Sequence, residues 1–99
     1  MIRIEVSPKD ITFLGHAMYD DYGKDIVCAA VSSVLTTSVE IIAAFDNEAI
    51  DIVNSKDSVK VVLNRHDDTT NKIIKTMINL LQELEKKYPN NIQITNKEE

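Results

Sequence analysis

Residues 69–89 read TTNKIIKTMINLLQELEKKYP, and their spacing decides how the rest of the chain is arranged. Ile73, Ile74, Met77, Leu81, Leu84 and Tyr88 recur at helical intervals, so this segment is a helix with one apolar stripe and one solvated face. Thr69 or Thr70 is expected to cap its start. Pro89 ends it, because the residue before a proline is driven out of the helical region. A helix with a single apolar stripe must bury that stripe against another layer.

The flanking segments supply the layer. In residues 2–7, Ile2, Ile4 and Val6 alternate with Arg3, Glu5 and Ser7, the period of a half-buried strand. Ser7-Pro8-Lys9-Asp10 reads as a turn, and a second strand over about 11–17, with Ile11 and Phe13 inward, runs out at Gly15-His16. Residues 1–17 therefore predict a hairpin. Ile50 to Val53 and Val59 to Leu63, separated by Asn54-Ser55-Lys56-Asp57, predict a second one, and Ile92 to Thr95 a last strand. Between the hairpins, Val27, Ala30, Val31, Val34, Leu35 and Ile42 fall at helical spacing. Length decides for a helix over roughly 25–44 in spite of the β-branched residues. The order ββαββαβ predicts an α+β fold: a two-layer α/β sandwich with both helices on one face of a mixed sheet. A chain of 99 residues has apolar area for one core, so residues 1–99 are read as one domain with a tail frayed from about 96.

Composition narrows the function. Hydrophobic residues at 43% and charged residues at 27% belong to a folded globular chain. A net charge of -5 argues against affinity for a phosphate backbone, which needs clustered Lys and Arg, so no nucleic-acid partner is expected. The single cysteine excludes an internal disulfide and suits a reducing cytoplasm. No stretch is read as approaching the roughly 18 apolar residues that span a bilayer. The expectation is a cytoplasmic protein without a membrane partner.

The only two glycines, Gly15 and Gly23, both fall between the second strand and the first helix, in GHAMYDDYGKDIVC, residues 15–28. That stretch also holds the sole cysteine, one of the two histidines and three aspartates. If Asp25 caps the helix, Cys28 lies in its first turn, where free backbone N–H groups and the helix dipole favour thiolate over thiol. His16 closes the neighbouring strand, and the connection between them can fold imidazole against sulfur. The residues by themselves leave other readings open. A lone cysteine on an apolar helix also serves as a small core residue, and a strand-end histidine as a surface group. Asp25 is either a cap alone or an orienter of His16. Ser32, one turn beyond Cys28, either supports the thiol or an oxyanion, or bonds back to its own helix. Met18, Tyr19 and Tyr22 either contact a hydrophobic peptide or pack the loop down. A metal site from His16, Asp25, Cys28 and His66 lacks any supporting spacing, and His66 reads as part of a surface turn. No metal or cofactor is expected.

The run Gly15-His16-Ala17 followed by Gly23-Lys24-Asp25-Ile26-Val27-Cys28-Ala29-Ala30-Val31-Ser32 resembles the signature of the bacterial ribosomal-processing cysteine proteases, the Prp family. Length, element order and the long apolar helix ending near Tyr-Pro extend the resemblance over essentially the whole chain. It implies a cysteine endopeptidase that trims an N-terminal extension from the twenty-seventh protein of the large ribosomal subunit, cutting after a hydrophobic, aromatic-containing run. By it, Cys28 matches the nucleophile and His16 the general base. Asp25 and Ser32 match accompanying polar positions, and Ala17 to Lys24 a substrate-binding loop containing Met18, Tyr19, Tyr22 and Gly23. It further implies a homodimer whose partner is a ribosomal protein precursor with a hydrophobic leader. The alternative is a non-catalytic ribosome-associated interaction protein of the same fold, which slow alkylation of Cys28 in the native protein would favour.

Overall fold

The computed structural model describes residues 1–21 and 23–97. Seven elements follow in the expected order: β1 (Ile2–Val6), β2 (Asp10–Leu14), α1 (Ile26–Phe45), β3 (Ile50–Ser55), β4 (Ser58–Leu63), α2 (Asp68–Lys87) and β5 (Ile92–Asn96). The strands form one five-stranded sheet in the order β3-β4-β2-β1-β5. β1 is antiparallel to β2 and parallel to β5, and β4 is antiparallel to both β2 and β3, so the sheet is mixed.

The topology explains why both helices share one face. α1 links β2 to β3 across β4, and α2 links β4 to β5 across β2 and β1 in the opposite lateral direction. The starting strands β2 and β4 also run in opposite directions. Reversing both the strand direction and the direction of travel leaves a right-handed crossover on the same side of the sheet. Between the layers, Ile4, Ile11, Val27, Val61 and Leu81 are fully buried, with Phe13, Met77 and Ile92 beside them. The stripe of α2 contributes Ile74, Met77 and Leu81 to this core as its spacing requires.

Four local expectations are corrected. β2 ends at Leu14 and does not reach residue 17, because Gly15 takes φ +80, which turns the chain out of the sheet. The second hairpin turns on Lys56-Asp57 alone, Ser55 pairing with Ser58. α2 is capped by Asp67, whose side chain accepts from the Thr70 N–H at 3.2 Å and the Thr70 hydroxyl at 2.8 Å, while Thr70 itself is buried. A carboxylate placed three residues ahead of two donors outcompetes a threonine for the cap. Finally, α1 is long and apolar enough to cross a membrane by composition, with mean hydropathy 1.9, contrary to the reading that no stretch comes close. Here Val27, Val31 and Ile42 join the core, while Ile41 and Phe45 on the same helix remain exposed.

Candidate active site

Asp25 is the N-cap of α1, and its carboxylate joins two segments. One oxygen accepts from the N–H groups of Val27 and Cys28, each at 3.0 Å. The other reaches into the preceding loop and accepts from Tyr19 N–H at 3.0 Å and Asp20 N–H at 3.4 Å. Desolvation pushes its carboxyl up, but the donors of Cys28, Tyr19, Asp20 and Val27 together hold it below the usual carboxylate range. Among the described residues its hydrogen-bond partners are all backbone N–H groups and do not include His16. Asp25 thus fastens the loop to the helix that carries Cys28.

Cys28 sits in the first turn of α1, half-buried, and its sulfur accepts from the backbone N–H of Ala17 at 3.3 Å. That donor fixes the sulfur beside the N-terminus of α1. Ala17 is 1% exposed, and its carbonyl in turn accepts from Asn91 Nδ2 at 2.9 Å. The chain therefore passes the sulfur in a fixed position before it opens to solvent at Met18, which has φ 56, a left-handed conformation that strains any residue other than glycine.

His16, Cys28 and Ser32 line one cleft of about 760 Å³, together with Met18, Gly23 and Asp25. Its floor is apolar, built from Ile2, Phe13, Val31, Leu35 and Val59. The hairpin turn between β3 and β4 forms part of its wall: Asp57 O accepts from Gly15 N–H at 3.1 Å, and its carboxylate lies 3.8 Å from His16 Nε2. The imidazole stays largely in solvent, with the side chain 64% exposed. Gly15 cannot carry a side chain here, since a Cβ would stand 2.7 Å from Met1 O.

Of the remaining expected residues, Tyr19 turns away from the cleft and meets Tyr88 edge to face, ring centroids 5.4 Å apart. Tyr22 lies outside the described residues. His66 is exposed, in the link between β4 and α2, with its carbonyl accepting from Asn71 Nδ2. Sequence reasoning missed Asp57, Tyr88 and Asn91. Asp57 becomes visible once β2 and β4 are paired with Leu14 opposite Ser58, which sets the hairpin turn beside Gly15. The stripe of α2 marks Tyr88 as apolar but not as a neighbour of the loop, and Asn91 carries no local signal, because both meet the loop only through the parallel pairing of β5 with β1.

The thiol at the start of α1 and the imidazole after β2 thus border one apolar cleft, with the loop between them along its rim. The family pattern described as Cysteine protease Prp matches residues 1–93. The chain belongs to the Prp cysteine proteases. It is 39% identical over 92 residues to the ribosomal processing cysteine protease Prp of Staphylococcus aureus, covering 89% of this chain and 86% of that one. Against the Prp of Mycoplasma genitalium it is 32% identical over 96 residues, or 95% and 94% of the two chains. A crystal structure of the S. aureus Prp with a covalently linked product peptide superimposes with a TM-score of 0.91 at 31% identity, over 98% of this chain and 100% of that one. Membership of Prp makes the chain a cysteine protease, and Cys28 is its one cysteine.

Proposed function

We propose that this protein is a cytoplasmic endopeptidase that removes a hydrophobic N-terminal extension from the twenty-seventh protein of the large ribosomal subunit, with Cys28 as nucleophile and His16 as general base. The observation that carries this reading is the Ala17 N–H on Cys28 Sγ at the start of α1, inside a cleft that also holds His16. The likeness to Prp proteins named for ribosomal processing, one of them bound to a product peptide, supports the substrate class. The apolar floor suits a hydrophobic leader.

His16 takes the thiol proton as the sulfur attacks the scissile carbonyl carbon. The tetrahedral intermediate collapses, the carbon–nitrogen bond breaks, and the imidazolium gives its proton to the departing amine. Neutral His16 then deprotonates a water that attacks the thioester, and the thiol leaves reprotonated. The N–H of Cys28 is engaged by Asp25, and the Ser32 hydroxyl, which lines the cleft one turn along, donates to the oxyanion. Met18 and Gly23 border the substrate from the loop side. The enzyme acts as a homodimer, a reading supported by apolar Ile41 and Phe45 exposed on α1 and Ile52 and Val53 on the unpaired edge β3.

Mass spectrometry of a peptide carrying the leader sequence, incubated with the protein, tests the assignment. Wild type cleaves it at one bond, Cys28→Ala does not, and His16→Ala slows turnover by roughly 100- to 10,000-fold. Cleavage that survives Cys28→Ala overturns the reading.

A further inference from the structure

The peptide that presents its N–H to the catalytic sulfur is held from the far end of the chain. Asn91, in the turn between α2 and β5, donates from Nδ2 to Ala17 O at 2.9 Å across 74 residues of sequence. Its own backbone is pinned on both sides: its N–H donates to Tyr88 O at 3.0 Å, and its carbonyl accepts from Ile2 N–H at 2.8 Å. The side chain therefore projects from a framework fixed by the β1–β5 pairing. Because Ala17 O is an acceptor, only the amide nitrogen satisfies it. Ala17 is then constrained at both its polar atoms, the carbonyl by Asn91 and the N–H by Cys28 Sγ. Tyr88, whose carbonyl accepts the N–H of Asn91, packs its ring against Tyr19 on the other side of Met18. A grip on each side of Met18 explains how its left-handed φ of 56 persists.

We propose that Asn91 is a positioning residue of the active site: by fixing the carbonyl of Ala17 it aims the N–H of the same residue at Cys28 Sγ and so sets the reactivity of that sulfur. This rests on Cys28 being the nucleophile. A carbonyl released from Asn91 would let the His16-Ala17-Met18 segment rotate toward relaxed backbone angles, and the sulfur would lose its donor. The loss acts on the reactivity of the thiol and on the position of His16 more than on the apolar floor that binds peptide.

Full-length wild type, Asn91→Ala and Asn91→Asp are compared by three measurements. These are alkylation of Cys28 with iodoacetamide across pH, steady-state cleavage of the leader peptide, and thermal unfolding. Asn91→Asp keeps the shape but sets an acceptor against the Ala17 carbonyl, so it stands in if Asn91→Ala does not fold. The expected result is alkylation slowed roughly tenfold at neutral pH as the sulfur loses its donor. kcat falls by a similar factor while KM moves by less than about threefold, and unfolding remains cooperative. Alkylation profiles that superimpose on wild type in a folded variant overturn the proposal, as does a loss confined to KM. Alkylation needs no peptide cleavage, so a wild type that fails to cut the leader rejects the proposed substrate and leaves the Asn91 comparison decisive on its own terms.

Discussion

Gly15 is the residue on which the site turns, since two separate constraints meet there. Its φ of +80 is a conformation that costs an L-residue about 1–2 kcal/mol, and a Cβ would also meet Met1 O at 2.7 Å, a backbone atom that cannot swing aside. Gly15→Ala is accordingly expected to lose at least about 1–2 kcal/mol in urea unfolding and to displace His16, the next residue, so that peptide cleavage falls as well. An alanine variant with wild-type stability would show that the turn is not under this constraint. Gly23, at φ +87, has open space around it, so a substitution there meets only the conformational cost. The two glycines look alike in the sequence, and only the packing separates them. Cys28 was different: its helix-start position could be read from Asp25 three residues earlier, whereas the N–H that reaches its sulfur depends on a loop path that no spacing rule describes.

At the level of elements, the start of α1 behaves as one unit with the loop before it because a single carboxylate holds both. Asp25 is held below the usual carboxylate range, so its contribution to the folded state is fully present above the ordinary aspartate range and is lost as pH falls through the lowered value. Asp67, lowered first by the Thr70 hydroxyl and then by the Thr70 N–H, acts with the same sign at the start of α2. Acid should therefore loosen both helix starts before the sheet. In an NMR titration, the amide resonances of Tyr19, Val27 and Cys28 are expected to move together at a pH below that at which exposed aspartates titrate, and Asp25→Asn should abolish that shared transition. Independent movement of loop and helix amides would contradict the bridge. The helices themselves were legible from periodicity within a residue or two. Their caps were less so: Asp25 stood out beside two glycines, but at α2 the sequence offers Asp67, Asp68, Thr69 and Thr70 in succession, and the choice among them is made by the path of the chain leaving β4.

For the molecule as a whole, alternation and helical spacing were enough to give the two-layer sandwich, because most elements have one apolar side and a helix layer on a sheet buries those sides together. The sheet order β3-β4-β2-β1-β5 was not legible, since it depends on long-range pairing that local patterns do not encode. That is also why Asp57, Tyr88 and Asn91 went unseen. The same order leaves β3 as an edge on which only Ile50 is buried, next to a helix that exposes Phe45 at 72%. The proposed dimer predicts a light-scattering mass of twice the 11.2 kDa chain, reduced toward the single-chain value by Phe45→Glu with Ile52→Lys. A wild type that scatters as a single chain at all concentrations removes that part of the proposal.

The parallel pairing of β1 with β5 has a bearing on when the enzyme becomes competent. β1 gains its second neighbour, and the Ala17 carbonyl its donor, only from residues 91–96, which follow every other described element in the chain. During synthesis the thiol and the imidazole emerge early, yet Asn91 and the strand that fixes it arrive after every other described element. The support of the loop that borders Cys28 is thus completed last among the described elements, in the order in which the chain is made.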